Sequence, residues 1–437
     1  MDIARKITPR FLFIPYHYAL ALFGAVIFGF PSRKLNVIAV TGTKGKSSVV
    51  ELVSALLEEA GYKTAHASTI HFKIADKKER NLHKMTMPGR FFLQHFLRRA
   101  VNAGCTHAVI EMTSEGARQF RHKFIALDAL IFTNLAPEHI ESHGSYENYV
   151  AAKVSLARTL EKSWKKNRLL IVNGDDKEAE KFLSVFSGTK IVYSRKDAGN
   201  PGISSEDVSF DWNGTRINSP LPGEFNLYNI LAAATYAKAA GISAGKIKAG
   251  IERVKSIRGR AEKITLEGLT RSDLSGDSRS DLGQTCPDFT VIVDYAHTPD
   301  SLEKLYQTYS GKYRVCVLGN TGGGRDKWKR PVLGSIASSY CDDIILTNED
   351  PYDEDPEEIL EQIAEGVHRP VRKILDRREA IHAALSMAEA GDAVVVSGKG
   401  SEDAMAITGG KKIPWDERKV VEEEFAKLSG GKVKAAS

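Results

Sequence analysis

Apolar residues along this chain come in short, dense runs separated by longer amphipathic stretches, the alternation expected of a doubly wound α/β protein. Val37–Val40, His107–Glu111, Ala129–Thr133 and Leu169–Val172 read as strands and are almost wholly apolar. That pattern suits a parallel sheet covered on both faces. Leu227–Ala240 is an alanine-rich helix stopped by Gly241. A second set of runs, Thr290–Val293, Arg314–Leu318, Asp343–Thr347 and Ala393–Ser397, predicts a separate α/β unit. Between the sets, residues 268–288 are rich in Ser, Asp and Gly and read as a flexible loop. A chain of 437 residues exceeds what one core usually supports. The expected organisation is an N-terminal segment, 1–36, a central domain, 37–258, and a C-terminal domain, 259–437.

The segment 11–30 breaks the pattern: it has no formally charged residue and is flanked by basic ones. Its length approaches that of a membrane span. However, Pro15 is best placed in a first helical turn, and Gly29 with Pro31 signals an end. About 15 helical residues cover roughly 22 Å, short of a ~30 Å hydrocarbon core, and no secretory cleavage site follows. A helix docked on the protein is the expected outcome. Weak attachment to a membrane surface and a true span are the alternatives.

Composition adds little beyond exclusions. Apolar content of 42% and charged content of 27% are ordinary for a globular enzyme. The formal charge of +6 is spread over the chain, so nucleic acid is not the favoured partner, while a phosphate-rich small substrate fits. Cys105, Cys286, Cys316 and Cys341 lack metal-finger or CxxC spacing and are expected as thiols in a reducing cytoplasm.

The strongest local signal is Val37-Ile-Ala-Val-Thr-Gly-Thr-Lys-Gly-Lys-Ser-Ser48. A strand enters a glycine-bearing turn whose N–H groups can point at an anion, and a helix N-terminus follows. Lys46 is placed to reach the β/γ-phosphates of a nucleotide and the Ser47 hydroxyl to sit on Mg²⁺. Val40 stands where the standard phosphate loop has its first glycine.

The segment Thr41-Gly-Thr-Lys-Gly-Lys-Ser-Ser48 resembles the nucleotide loop of the Mur ligases, the ATP-dependent amide-forming enzymes of peptidoglycan precursor synthesis; Lys44 replaces an asparagine. The likeness runs from about Leu35 to Glu424. It implies a P-loop-type doubly wound parallel-sheet central domain plus a Rossmann-like α/β C-terminal domain. It also implies ATP contacts from Thr41, Gly42, Thr43, Lys44, Gly45, Lys46, Ser47 and Ser48. Glu111-Met-Thr-Ser-Glu-Gly-Ala-Arg-Gln-Phe-Arg121 resembles the family segment in which Glu111 holds Mg²⁺ and Ser114, Gln119 and Arg121 meet the acceptor substrate. Thr133-Asn-Leu-Ala-Pro-Glu-His-Ile-Glu-Ser-His-Gly144 resembles the segment carrying the metal-site histidine, here His139. Lys153 falls where the family carries a carbamylated lysine, an anion able to hold a second Mg²⁺; carbamylation needs a neutral amine, which partial burial favours.

Further matches follow the same order. Leu221-Pro-Gly-Glu-Phe-Asn-Leu-Tyr-Asn-Ile-Leu231 implies adenine contacts from Asn226 and Asn229, and Val293-Asp-Tyr-Ala-His-Thr-Pro-Asp-Ser-Leu302 implies ATP contacts from Asp294, Tyr295 and His297. Gly319-Asn-Thr-Gly-Gly-Gly-Arg-Asp-Lys327 with Lys329-Arg-Pro331 places Arg325 as a catalytic arginine on the transferred phosphoryl group. Catalysis is thus expected from Lys46, Lys153, His139 and Arg325, in a cleft shared by two domains that excludes water from an acyl phosphate.

Within the family the chain looks most like the enzymes that make UDP-N-acetylmuramoyl tripeptides. Gly398-Lys-Gly-Ser-Glu-Asp403 supports this, with Glu402 matching a residue that receives the incoming amino group. Departures bear on the substrate. The usual N-terminal UDP-binding domain is replaced by about 36 residues. Thr86-Met-Pro88 stands for Thr-Thr-Pro, and Glu115 replaces a histidine. Glu349-Asp-Pro-Tyr352 keeps Asp350 as a substrate residue, but Tyr352 replaces the arginine that clamps the distal carboxylate of diaminopimelate. Tyr352 forms no such ion pair, so the added amino acid is left open between diaminopimelate and lysine or another amine. The expected partners are a nucleotide-sugar peptide and an amino acid, acted on by a cytoplasmic monomer. Readings kept open are a lipid-linked or folate-like acceptor and a non-catalytic nucleotide-binding regulator.

Overall fold

A computed structural model describes residues 10–83, 85–138, 140–264, 289–324 and 326–428. The expected loop at 268–288, His139, Arg325 and Cys286 lie outside the described residues. The chain divides into two compact units. The first runs to Ile203 and takes in Asp207–Pro220 and Phe225–Lys255; the second holds Ser204–Glu206, Leu221–Glu224 and the chain from Ser256 onward.

The first unit opens with helix α1 (Arg10–Ile27), which includes Pro15 in its second turn rather than starting there. A proline so near the helix start removes only one backbone bond close to a terminus that already has unpaired N–H groups. No helix among the described residues is long and apolar enough to cross a membrane. Ala21, Gly24 and Ala25 are buried, and the Phe23 ring meets Phe91 edge-on at 5.9 Å. The docked helix is therefore what the structure shows.

An eight-stranded sheet follows, built from β1 (Asn36–Thr41), β2 (Thr64–Ala67), β3 (His71–Ile74), β4 (Lys77–Arg80), β5 (His107–Glu111), β6 (Ala129–Phe132), β7 (Leu169–Asn173) and β8 (Thr189–Tyr193). Its order is β4-β3-β2-β5-β1-β6-β7-β8. The parallel expectation needs correction at one edge, since β2–β3 and β3–β4 pair antiparallel. A tight hairpin there lets a charged, fully exposed strand, Lys-Lys-Glu-Arg, close the sheet and discourage edge-to-edge association. Helix α2 (Lys46–Glu59) leaves β1 and buries Val49, Val50, Leu52, Val53, Leu56 and Leu57. A small antiparallel sheet of β9 (Gly199–Ile203), β10 (Val208–Trp212) and β11 (Thr215–Ser219) was not expected from the sequence.

The second unit holds a six-stranded sheet of β12 (Glu262–Ile264), β13 (Thr290–Asp294), β14 (Arg314–Leu318), β15 (Asp343–Leu346), β16 (Arg372–Lys373) and β17 (Ala393–Ser397), ordered β12-β13-β17-β14-β15-β16. All neighbours are parallel except β12–β13. Val291, Val293, Val315, Val317, Ile345, Val394 and Val396 form its core with Ile381, Val421 and Phe425. The thiol expectation fails for two cysteines: Cys316 in β14 and Cys341, just before β15, form a disulfide with Cα atoms 6.0 Å apart. The cause is strand adjacency across a helical crossover, which spacing alone does not reveal. Cys105 is a buried free cysteine.

Candidate active site

In the first unit, sheet register brings the phosphate-loop segment to an acidic strand end. Val40 pairs with Glu111 across β1–β5, and Thr41 pairs with Phe132 across β1–β6. The loop after β1 therefore emerges between the ends of β5 and β6, at the carboxyl edge where α/β proteins place ligands. Gly42 has φ 151° and Gly45 φ 80°. A Cβ on Gly42 would lie 1.9 Å from Thr133 Oγ1, and one on Gly45 would lie 2.2 Å from Asn229 Oδ1. Both positions thus require glycine for space as well as conformation.

The two residues after β6, Thr133 and Asn134, pin the loop. Asn134 accepts from the Thr43 N–H through its carbonyl, at 2.8 Å, and from the Lys44 N–H through Oδ1, at 2.9 Å. Thr133 Oγ1 donates to the Lys44 carbonyl at 2.7 Å. The Thr43 hydroxyl is 2.8 Å from the Tyr149 hydroxyl, and Thr41 Oγ1 donates to the Met112 carbonyl at 3.0 Å. Helix α2 begins at Lys46, where first-turn N–H groups have no intrahelical acceptor and favour an anion. Ser48 is buried in that turn.

Charge is concentrated beside the loop. Ser47 Oγ donates to Glu111 Oε2 at 2.8 Å, and Lys46 Nζ lies 3.8 Å from Glu111 Oε1. Lys46 Nζ also donates to the Thr43 carbonyl at 2.9 Å. Glu111 is buried and further accepts from the Thr69 N–H at 2.9 Å. A hydroxyl and a carboxylate set side by side at a strand end form an oxygen donor set that fits Mg²⁺. Lys44 pairs with Glu138 at 3.2 Å. Lys153, from the helix Tyr146–Glu161, is buried and donates to the Gly42 carbonyl at 2.7 Å. Burial, with the positive charge of Lys46 next, holds its amine well below the ordinary lysine range.

The residues expected on the acceptor substrate lie on two stretches, 86–87 and 114–121, joined through Arg121. Thr86 Oγ1 is 2.7 Å from Thr69 Oγ1. Arg121 donates to the Met87 carbonyl and, at 2.7 Å, to Gln119 Oε1. Gln119 Nε2 donates to Glu115 Oε1 at 2.6 Å, so the glutamate that replaces the family histidine orients this amide. Ser114 is buried in the first turn of the short helix Ser114–Arg118. Asn226 and Asn229 are buried and joined by a 3.1 Å bond; with Gly45 against Asn229, their geometry favours bracing the loop.

In the second unit, Asp294, Ser397 and the ends of β14 and β15 lie at one level, because Asp294 pairs with Ser397 and Leu318 with Leu346. The segments 295–297, 319–324, 347–350 and 398–402 all leave this carboxyl edge. Asp294 accepts from the Ala296 N–H at 2.6 Å and from the Ala261 N–H. His297 Nδ1 is 2.6 Å from the Tyr295 carbonyl, and Arg260 stacks over the Tyr295 ring at 4.7 Å. Asp350 and Glu402 meet through Lys399, a residue missing from the expected set. Its Nζ lies 2.9 Å from Asp350 Oδ1 and 2.6 Å from Glu402 Oε2. Although burial opposes it, Glu402, Asp350 and Glu349 hold the Lys399 ammonium above its ordinary range. Arg330, fully buried, pairs with Glu354 at 3.0 Å and supports the glycine-rich segment through the Thr321 carbonyl.

Asn134, Thr69 and Lys399 were not singled out from the sequence. Asn134 and Lys399 sit inside matched motifs, so their positions were available; Thr69 lies in none.

Comparisons with known proteins agree with this geometry. Residues 40–237 match the model of the Mur ligase middle domain, and residues 279–400 that of the Mur ligase glutamate ligase domain. A UDP-N-acetylmuramoyl-L-alanyl-D-glutamate--2,6-diaminopimelate ligase from Syntrophomonas wolfei is 36% identical, over 95% of this chain and 82% of its own. A UDP-N-acetylmuramyl-tripeptide synthetase from Roseiflexus is 34% identical, over 94% and 83%. Among solved structures, a diaminopimelate ligase superposes with a TM-score of 0.58 at 27% identity, covering 90% of this chain and 78% of that one. The folylpolyglutamate synthase of Mycobacterium tuberculosis reaches 0.68 at 16% identity, covering 95% of each, a likeness of fold alone. With its phosphate loop, its acidic strand end and these relatives, the chain belongs to the Mur ligase family of ATP-dependent amide-forming ligases.

Proposed function

We propose that the protein joins the amine of an amino acid to the terminal carboxylate of a UDP-MurNAc-dipeptide-like acceptor, at the expense of ATP. The observation that carries this reading is the Lys46–Ser47–Glu111 group at the mouth of the glycine loop. The acceptor carboxylate attacks the γ-phosphorus, ADP leaves, and an acyl phosphate forms. The amine then attacks the acyl carbon, phosphate leaves, and the ammonium proton passes to solvent.

Ser47, Glu111 and His139 would hold Mg²⁺, which would supply positive charge against the phosphoryl groups. Lys46 and the N-terminus of α2 hold the phosphates, and Arg325 stabilises charge during transfer. Thr86, Ser114, Gln119 and Arg121 position the acceptor, while Asp350 and Glu402 receive the amino acid. Asp294, Tyr295 and His297 act on the nucleotide in the same turnover. Residues 37–258 and 259–437 are read as the central and C-terminal domains.

Lys153 is proposed to react with CO₂: Nζ bonds to carbon, one proton is released, and a carbamate results. Its burial and its depressed basicity support this, since only the neutral amine reacts.

The added amino acid is left open by Tyr352. A lipid-linked acceptor is kept beside the UDP-linked one because of α1. Pro15, Tyr16, Tyr18, Ala19, Leu22, Phe23, Val26 and Ile27 are all exposed there, an apolar row that suits a membrane surface. The reading is otherwise a cytoplasmic monomer. The folate-like acceptor and the non-catalytic regulator are not favoured, because relatives at 34–36% identity are named as diaminopimelate ligases and a UDP-N-acetylmuramyl-tripeptide synthetase.

The test is a screen of amino acids against UDP-MurNAc-dipeptide and a lipid-linked muropeptide in parallel, scoring new amide by mass spectrometry. Product with one amino acid and one acceptor supports the proposal; no product with any pair removes it. Vesicle flotation of the wild type against Phe23→Ser/Val26→Ser/Ile27→Ser tests the surface contact, which fails if both stay unbound.

A further inference from the structure

Beside the phosphate loop lies a second group of side chains that the ligase chemistry leaves unused. Glu51 stands one helical turn beyond Ser47 on α2, His66 is on β2, and His71 begins β3. His66 Nε2 and His71 Nε2 are 2.7 Å apart. Glu51 Oε1 lies 3.4 Å from the first and 3.2 Å from the second. Both imidazoles are buried, 2% and 5% exposed, so bulk water does not screen this convergence. Among the described residues, this is the group of histidine and carboxylate atoms close enough to share one metal ion.

We propose that Glu51, His66 and His71 form a Zn²⁺ site, separate from the Mg²⁺ position at Ser47 and Glu111. Three ligands at ~2.0–2.1 Å in a tetrahedron stand roughly 3.3 Å from one another. Two of the three observed separations already match, and the third, 2.7 Å, opens by about 0.6 Å to reach the tetrahedral spacing. The donor set decides the ion: two imidazoles and one carboxylate suit Zn²⁺, whereas Mg²⁺ takes oxygen ligands.

A supporting hydrogen-bond chain holds the ligand in the required form. Ser54 Oγ donates to Glu58 Oε1 at 3.1 Å and therefore accepts from His66 Nδ1, 2.9 Å away. A proton on Nδ1 leaves Nε2 as a lone pair turned toward His71 and Glu51. Metal-bound histidines are usually oriented by such a partner on the other ring nitrogen. Glu58 is itself fixed by Lys73 at 2.6 Å and by Thr64.

The site fastens the turn between β2 and β3 to helix α2. That turn carries Thr69, whose N–H and hydroxyl both reach Glu111. Zinc here positions Thr69, and through it the carboxylate beside the phosphate loop.

The test uses the full chain, stripped by chelator and titrated with Co²⁺ and then Zn²⁺ in excess Mg²⁺. One equivalent of Zn²⁺ by elemental analysis is expected, with a visible Co²⁺ band typical of four-coordinate nitrogen and oxygen ligation and a Zn²⁺-dependent rise in Tm. Glu51→Gln, which keeps the side-chain shape, and His71→Asn lose the band. Ser54→Ala weakens Zn²⁺ binding by ~10–100-fold. Glu111→Gln keeps it. Wild-type protein that is folded yet gives neither band nor bound zinc overturns the proposal. So does undiminished binding in Glu51→Gln, or loss of binding in Glu111→Gln, which assigns the ion to the Mg²⁺ position.

Discussion

Lys153 Nζ donates to the carbonyl of Gly42 at 2.7 Å, joining a buried helix lysine to a phosphate loop 111 residues earlier. The bond ties the loop to the helix Tyr146–Glu161, and the same burial lowers the amine's basicity. Lys153→Ala is expected to lower kcat by ~10²–10³-fold, the usual cost of losing a group that stabilises developing charge. If the working form is the carbamate, formate or acetate restores part of the rate and small alkylammonium ions do not. The reverse pattern means that the ammonium acts unmodified.

Lys46→Ala is expected to cut turnover by at least ~10²–10³-fold while the fold stays intact. Circular dichroism and the unfolding midpoint check the second half. A variant retaining wild-type phosphate release removes Lys46 from the mechanism.

Gly45→Ala places a methyl group 2.2 Å from Asn229 Oδ1 at a φ of 80°. The strain is expected to cost ~1–3 kcal/mol and to weaken nucleotide binding. Asn229→Ala in the same chain relieves the clash but not the backbone strain, so the double variant recovers only part of the loss in urea unfolding. Full recovery shows that sterics alone required the glycine.

Two buried histidines set an acid limit. Burial lowers His107 from 6.5 to about 4 and, with Lys123 nearby, His122 to about 3. Between pH about 6.5 and 4 the unfolded chain binds protons that the folded chain refuses. Their contribution is therefore complete above the unfolded value and is lost as pH falls, at ~1.4 kcal/mol per unit for each group. Stability of His122→Asn measured across this range is expected to fall less steeply than that of the wild type.

Lys399→Met leaves Asp350 and Glu402 without their shared cation. Removing one partner of a buried ion pair costs ~3–5 kcal/mol, and Glu402, at 18% exposure, brings the expectation to the lower end. Glu402→Gln is milder for stability and is expected to raise KM for the amino acid more than it lowers kcat. A change in kcat alone argues against amino-acid binding there.

Much of this was legible because short apolar runs end in the functional segments. Val37–Val40 and His107–Glu111 predict neighbouring strands, and their register sets Glu111 beside the loop. What escaped depends on contacts between distant residues or on strands without an apolar signal. Lys77–Arg80 is wholly exposed and charged, so it reads as loop although it pairs with β3. Gly199–Ile203 has too few apolar groups to announce β9. The Cys316–Cys341 bond rests on β14–β15 adjacency. Asn134 serves the loop through bonds across 90 residues, which no local pattern encodes.

The most direct measurement of the central claim is phosphate release from ATP by the full chain, with the muropeptide carboxylate and the amino acid omitted in turn. Release that requires both, with one amide formed per ADP and none in Lys46→Ala, is the expected result. ATP hydrolysis at an equal rate without either substrate contradicts amide ligation as the function.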